Sequence, residues 1–125
     1  MITLDYRDKR PIYEQVVEKI SHLIVCGALE ADSKMPSVRQ MALDLSVNPN
    51  TIQRAYTMLE QDGYLYTISG RGNFVASPES WQKGRLDEVY ADLRKALLGA
   101  RLSGLSEDKA HNLVTSVYKE VQSND

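Results

Sequence analysis

The sequence predicts a mainly helical protein with one small β-hairpin, and three observations lead to that fold class. Apolar residues recur every three or four positions in several separate segments, which is the period of an amphipathic helix. Proline or a short polar side chain opens several of these segments, and glycine closes several of them. After the third segment, two short strand-like runs flank a glycine-rich turn, a pattern typical of a hairpin.

The first predicted helix begins at Pro11 and ends at Gly27. Proline suits the first helical position because its missing N–H would have no partner there. Glycine readily takes the left-handed conformation that closes a helix. The apolar stripe between them predicts a core helix and consists of Ile12, Val16, Ile20, Leu23 and Ile24. Before this helix, Leu4 and Tyr6 are candidates for an edge strand beside the hairpin.

Two short helices follow and form a predicted helix-turn-helix. Ser37 and Gln40 fit a capping box, in which each side chain bonds the backbone N–H of the other residue. Asn48 is a good N-cap, and Pro49 suits the first position of the next helix. The apolar stripes of the two helices are Val38, Met41, Ala42 and Leu45, then Ile52, Ala55, Tyr56 and Leu59. Gly63 ends the second of them.

The hairpin is predicted over residues 64–76, with a turn at residues 69–72. Tyr64 and Tyr66 are expected to brace it against the helices, since strand aromatics usually pack. Three helices followed by a hairpin form the layout of a winged helix. Residues 1–77 are therefore predicted to be a winged helix-turn-helix domain.

Residues 78–125 are predicted to be a linker followed by a two-helix tail. The linker covers residues 78–84, with Trp81 as an anchor between the two parts. The apolar stripes of the two helices cannot be buried by each other alone and need the first domain or a second copy of the chain. The predicted dimerisation surface consists of Leu86, Val89, Tyr90, Leu93, Leu97, Leu113, Val114, Val117, Tyr118 and Val121.

The composition argues against several function classes. With 42% hydrophobic and 26% charged residues, the chain is typical of a soluble globular protein, and a cytoplasmic location without a membrane span is expected. The one cysteine, Cys26, allows no intrachain disulfide and is expected to be a small buried hydrophobe. The two histidines have no partner at helical spacing, so neither a metal nor a cofactor is predicted. The common catalytic motifs are also missing, and the protein is expected not to be an enzyme.

The placement of charge favours a nucleic-acid partner, although the net charge of −2 does not. Residues 33–57 and 63–76 contain a single acid, Asp44. The same segments contain four basic residues, Lys34, Arg39, Arg54 and Arg71. A locally basic face on an acidic protein can still attract phosphates.

The third helix carries a candidate DNA-reading face. Helical geometry around the buried Ile52 turns five polar residues toward the other side or its margins: Asn50, Thr51, Gln53, Arg54 and Thr57. Asn and Gln can pair with adenine, Arg with guanine, and a Thr methyl with thymine. Asn48 lies at the helix N-terminus, where a phosphate is favoured. Any surface helix has a polar face, so this face alone does not predict DNA binding. The helix-turn-helix, the local charge and the hairpin together favour that function.

Other candidate DNA contacts lie outside this helix. Arg39 is expected to reach a phosphate or a groove edge, with an ion pair to Asp44 as the alternative. Arg71, between Gly70 and Gly72 at the hairpin tip, is expected to reach a minor groove, whose potential attracts arginine. Its alternative is a solvated turn charge. Two residues complete the candidate DNA-binding set, Lys34 and Ser37.

A series of ordered motifs also points to a known family. These motifs are Pro11–Gln15, Gly27–Leu29, Met35–Arg39, Val47–Ile52, Arg54–Tyr56, Leu59, Gly63 and Gly70–Val75. They resemble the GntR superfamily of bacterial transcription regulators, and the short tail resembles its YtrA-type subfamily. The resemblance implies a dimeric repressor that reads an inverted repeat, with DNA contacts at Arg39, Asn50, Thr51, Gln53, Arg54, Arg71 and Gly72. Pro49 departs from the family pattern, where arginine is frequent, and Asn73 stands where threonine is commoner.

The leading hypothesis is a sequence-specific regulator that binds double-stranded DNA as a homodimer. The third helix would enter the major groove of a palindromic operator, and the hairpin would lie near the minor groove. An unidentified small-molecule effector is a further predicted partner. The alternatives are a winged-helix module for protein interaction, which the acidic net charge favours, and a small enzyme or ligand carrier with a pocket between the two parts.

Overall fold

A computed structural model describes the backbone of residues 2–123 and the side chains of residues 2–120. The elements in chain order are α1 (Ile12–Val25), α2 (Val38–Leu45), α3 (Pro49–Gln61), β1 (Leu65–Ile68), β2 (Gly72–Val75), α4 (Pro78–Leu102) and α5 (Glu107–Ser123). The predicted mainly helical fold with one hairpin is confirmed. The chain divides into two compact units, Met1–Gly84 and Arg85–Asp125, and α4 runs across the division.

The core of the first unit forms where α1 and α2 pack on α3. Val16 and Ile20 of α1 and Ile52 of α3 are completely buried, together with Ala55 and Leu59. The predicted apolar stripes of these helices therefore face the core. Burying a side chain of this size contributes about 1.5–3 kcal/mol, so this packing determines which side of each helix remains outside.

The caps of α2 and α3 follow the sequence closely. Ser37 Oγ accepts a hydrogen bond from the Gln40 N–H at 3.0 Å, and Asn48 Oδ1 accepts one from the Asn50 N–H at 2.8 Å. The second half of the predicted capping box is wrong, because the Gln40 side chain donates to Asp44 Oδ1 at 2.8 Å. Asp44 lies one turn along the helix from Gln40. A hydrogen bond to its charged carboxylate is stronger than the bond between neutral groups that the capping box would provide.

Pro11 lies one position outside α1 and serves as its N-cap, not as its first helical residue. Its ψ angle of 149° is extended, so the helical conformation begins at Ile12. The Pro11 carbonyl still accepts from the Glu14 and Gln15 N–H groups. Cys26 is the C-cap of α1 and is exposed, so the predicted buried cysteine is also wrong.

The hairpin is antiparallel, with Leu65 opposite Val75 and Ile68 opposite Gly72. Its additional edge is formed by residues 33–35, through a bridge between Lys34 and Phe74 and a 2.9 Å bond from the Val75 N–H to the Ser33 carbonyl. The predicted edge strand at Leu4 and Tyr6 is wrong, because no strand occurs in residues 2–10.

A buried glutamine explains why the residues before α1 form a turn. Gln15 is 1% exposed, and its Oε1 accepts from the Asp5 N–H while its Nε2 donates to the Asp5 carbonyl, both at 3.0 Å. The amide thus satisfies both backbone groups that Asp5 would otherwise offer to a neighbouring strand. Asp5 Oδ1 in turn accepts from the Arg7 N–H at 2.9 Å.

Residues 78–84 are helical, so the predicted linker is wrong. Pro78 is the first residue of α4, where proline is favoured, and Glu79 lies in the first turn. Trp81 is buried and stacks on Tyr64 with ring centroids 5.5 Å apart. This packing stabilises a helical start that Ser80 and Gly84 would otherwise leave weak. Trp81 therefore belongs to the core of the first unit.

The second unit consists of the remainder of α4, a turn and α5. The α4 helix ends at Leu102, and Gly104 takes a φ of +98° in the turn that follows. Ser106 caps α5, with its Oγ accepting from the Lys109 N–H at 3.2 Å. The cap and the acidic first turn of α5 agree with the sequence prediction.

Gly63 provides a test of the contact between α3 and the start of α4. A Cβ on Gly63 would lie 2.3 Å from the Ser80 carbonyl oxygen, and its φ is +85°. Gly27 has a matching φ of +84° with open space around it. We expect Gly27→Ala to cost about 1 kcal/mol through left-handed strain and Gly63→Ala about 3 kcal/mol or more, measured by urea unfolding. Equal losses would contradict this contact.

Tyr56 ties α3 to the segment before α2, because its hydroxyl donates to the Pro36 carbonyl at 2.7 Å. Burial raises the pKa of Tyr56 to about 12. The contribution of Tyr56 to the free energy of unfolding is fully present below pH 10. It is lost as the pH rises from 10 to 12, because the tyrosine of the unfolded chain ionises at a lower pH than that of the folded protein.

We expect Tyr56→Phe to lower the free energy of unfolding by about 1–2 kcal/mol at pH 7, because the Pro36 carbonyl loses its donor. The difference from the parent should shrink as pH rises from 10 to 12. Tyr6→Phe, at an exposed ring, is the control and should leave stability unchanged. A pH-independent difference for Tyr56→Phe would contradict the role of burial.

Candidate nucleic-acid interface

The α3 helix has one buried and one exposed face. Ile52, Ala55, Tyr56 and Leu59 are buried. The exposed residues are Asn50, Gln53, Arg54 and Thr57, while Thr51 is half-buried at the margin. Because the apolar stripe anchors the helix, the polar face is turned away from the core of the first unit.

Hydrogen bonding leaves much of this polar face free. The Asn48 side chain is used by the cap, and Gln53 Nε2 donates weakly to Thr57 Oγ1 at 3.3 Å. The Asn50 amide has no hydrogen-bond partner among the side chains that the structure describes. It can therefore offer both a donor and an acceptor to a ligand.

Arg54 makes a contact that the sequence does not reveal. Its guanidinium carbon lies 3.7 Å from the centre of the Tyr13 ring, in the first turn of α1. Tyr13 is half-buried, and its hydroxyl is 3.3 Å from Glu14 Oε1. No local pattern could have paired residues so distant in the chain, because only the packing of α1 on α3 brings them together.

Arg39 lies exposed on α2, close to the capped N-terminus that includes Ser37. The alternative pairing with Asp44 does not occur, because Asp44 accepts from Gln40 instead. Within the described part of the chain, Arg39 makes no ion pair. Its charge is therefore available to an anion outside the protein.

The tip of the hairpin brings two basic residues together. Arg71 is exposed, and Gly70 and Gly72 take φ angles of +77° and +117° around it. Lys34 lies beside the same turn, since a Cβ on Gly72 would come within 3.3 Å of Lys34 Cε. The glycines thus allow a tight turn with two cationic side chains at its edge.

The strands below this tip are held by aromatic packing. Tyr66 stacks on Phe74 with ring centroids 5.6 Å apart, and its hydroxyl donates to Asp32 Oδ1 at 2.8 Å. The hydrogen bond to Asp32 raises the pKa of Tyr66. Tyr64 is buried against Trp81. Tyr64 therefore braces the hairpin against α4, as predicted. Tyr66 instead packs within the hairpin and bonds the segment between α1 and α2, so its predicted packing against the helices is wrong.

Comparison with known proteins identifies the family. The family described as bacterial regulatory proteins, gntR family, matches residues 12–75, which is just over half of the chain. This chain belongs to the gntR family. It is a DNA-binding transcription regulator of that family, and the matched range contains α1, α2, α3 and the whole hairpin.

The similarity of this gntR-family regulator to known proteins extends into its tail. The HTH-type transcriptional repressor YtrA of Bacillus subtilis is 30% identical over 98% of this chain and 95% of its own. A GntR family transcriptional regulator from Listeria monocytogenes is 33% identical and has a TM-score of 0.74, over 90% of this chain and 98% of its own. The complex of AraR(DBD) with operator ORE1 matches 59% of this chain and 90% of its own, at 35% identity and a TM-score of 0.52.

The tail of this gntR-family regulator exposes many apolar side chains. Every predicted dimerisation residue whose side chain is described is exposed: Leu86, Val89, Tyr90, Leu93, Leu97, Leu113, Val114, Val117 and Tyr118. The side chain of Val121 lies outside the described residues. On α4, an open groove of about 250 Å³ runs between Tyr90 and Arg101. Exposed apolar residues grouped on one face of a helix are typical of an interaction surface.

The described residues contain neither a candidate metal site nor a candidate membrane span. Their His, Cys, Asp and Glu side chains form no group of three that could hold a metal ion. None of their helices combines the length and apolar character needed to cross a membrane. The small-molecule effector stays a prediction.

Proposed function

We propose that this gntR-family protein is a sequence-specific repressor that binds a palindromic operator as a homodimer. In each protomer, α3 enters the major groove and the hairpin lies along the neighbouring minor groove. The observation that carries the proposal is the exposed polar face of α3, where Arg54 has no acidic partner within the described chain.

The side chains of this face have the chemistry of base recognition. The free Asn50 amide and the Gln53 amide match the donor and acceptor pair on the major-groove edge of adenine. Arg54 matches the two acceptors of guanine, and the Thr57 methyl can contact thymine. Thr51, which is half-buried, lies at the border of this surface. We assign base reading to these residues.

A second group of residues is assigned to phosphate binding. Arg39 is exposed and unpaired at the start of α2, and Lys34 lies beside the hairpin turn. The N-termini of α2 and α3, capped by Ser37 and Asn48, are electropositive ends that favour an anion. Phosphate contacts position the protein on the duplex, whereas the α3 face selects the sequence.

The hairpin tip is assigned to the minor groove. Arg71 extends from a narrow turn whose neighbours Gly70 and Gly72 have no side chains to block the approach of a backbone. A narrow minor groove concentrates negative potential and attracts arginine. Lys34 beside the turn adds a second positive charge on the same side.

The proposed dimer forms through the exposed apolar residues of α4 and α5. Two-fold symmetry would bring the same surface of both copies together. An inverted repeat with half-sites about 10 base pairs apart, or a small multiple of that spacing, then follows from the geometry of the duplex. Residues 1–77 carry the DNA-binding function in this proposal, and residues 78–125 carry dimerisation.

Arginine substitutions test the proposed DNA interface. We expect Arg39→Ala, Arg54→Ala and Arg71→Ala each to weaken binding to a selected operator by about 10-fold or more. The slope of log Kd against log salt should fall by about one for each phosphate contact removed. Lys119→Ala, which removes a charge from exposed α5, is the matched control and should bind like the parent.

Fluorescence anisotropy with duplexes selected from a random pool, at several salt concentrations, measures these effects. Parental affinity in all three arginine variants would refute the site. If the parent bound no duplex at all, the winged-helix module for protein interaction would replace this proposal.

A charge on the tail tests the proposed dimer. Leu93 is 52% exposed on the predicted dimerisation surface, and Leu102 is 88% exposed about 180° around the same helix. We expect Leu93→Glu to convert the dimer to monomer in analytical ultracentrifugation, because a desolvated carboxylate is costly. Leu102→Glu should leave the dimer intact. A dimer that survives Leu93→Glu would contradict this interface.

A further inference from the structure

We infer that Tyr13 is a positioning residue that holds Arg54 ready to bind the operator. This inference rests on the proposed function, in which Arg54 reads the major groove. It assigns a role in DNA recognition to α1, an element outside the helix-turn-helix. The Arg54 guanidinium lies 3.7 Å from the centre of the Tyr13 ring.

The contact with Tyr13 restrains the Arg54 guanidinium through an aromatic ring and not through a carboxylate. Arginine stacks on aromatic faces, and its five N–H donors point outward in the plane of the guanidinium. Within the described residues, no oxygen accepts a hydrogen bond from Arg54. The donors therefore remain available for two acceptors in the same plane, such as those of guanine or a phosphate.

Arg10 illustrates the opposite arrangement in the same unit. Its guanidinium is paired with Asp8 at 2.7 Å and also with Glu18. Those two carboxylates occupy its donors and neutralise its charge, and they raise the pKa of Arg10. Arg54 is restrained by a neutral ring instead, so it keeps its charge and its donors.

The restraint matters because a free arginine has many rotamers. Ordering such a side chain at an interface costs conformational entropy, which lowers the affinity. The Tyr13 ring is itself anchored, since it packs against the core and its hydroxyl is 3.3 Å from Glu14 Oε1. Part of the ordering of Arg54 is therefore completed before DNA binds.

Three substitutions at Tyr13 separate the ring from the hydroxyl. We expect Tyr13→Leu to weaken operator binding about 3-fold per protomer, and about 10-fold for a dimer that uses both copies. Tyr13→Phe and Tyr13→Trp retain an aromatic face and should bind within about 2-fold of the parent. Thermal unfolding checks that Tyr13→Leu remains folded.

A double-mutant cycle with Arg54→Ala decides the mechanism. In the Arg54→Ala background, Tyr13→Leu should cause no further loss of operator affinity, because its effect acts through Arg54. An equal loss in both backgrounds, or a loss in Tyr13→Phe as large as in Tyr13→Leu, would overturn the inference. If Arg54→Ala weakens binding and Tyr13→Leu does not, only this inference fails. If Arg54→Ala has no effect, its assignment in the proposed function fails as well.

Discussion

The candidate interface depends on how α3 is anchored in the core. Ile52, Ala55 and Leu59 are completely buried, and each residue of a helix turns it by about 100°. A rotation by one position would expose part of this stripe and push a polar residue such as Arg54 toward the core. Because the apolar burial resists that rotation, the direction of the polar face is a consequence of core packing. The cap at Asn48 and the stop at Gly63 limit the helix at both ends.

The parts of the fold that the sequence predicts are those set by near neighbours in the chain. The caps at Ser37 and Asn48, the apolar stripes and the glycine turns each depend on residues within about four positions. The exposure of Asn50 and Arg54 follows from the same periodicity. This is why the winged helix and most of the candidate site can be predicted from the sequence alone.

The errors at Pro11, Cys26 and Gln40 are local, whereas the larger predictions that failed concern contacts between distant residues. Gln15 binds the backbone of Asp5 and removes the expected edge strand, and Trp81 packs on Tyr64 and makes the expected linker helical. Proline and glycine near residues 78–84 indicate a linker only when nothing buries the segment. The contact of Arg54 with Tyr13 could not be predicted from the sequence for the same reason, because it exists only where α1 meets α3.

The modest charge of each DNA-binding face makes the tail essential to the proposed function. A single protomer offers few basic residues on a chain whose net charge is −2, so one copy would bind a duplex weakly. Joining two copies makes the second contact intramolecular, and the affinities of both half-sites then combine. In the proposed dimer, a small gain within one protomer, such as the inferred preordering of Arg54, would contribute twice. In the proposed function, the exposed apolar tail would thus compensate for the low charge of α3 by joining two DNA-binding faces.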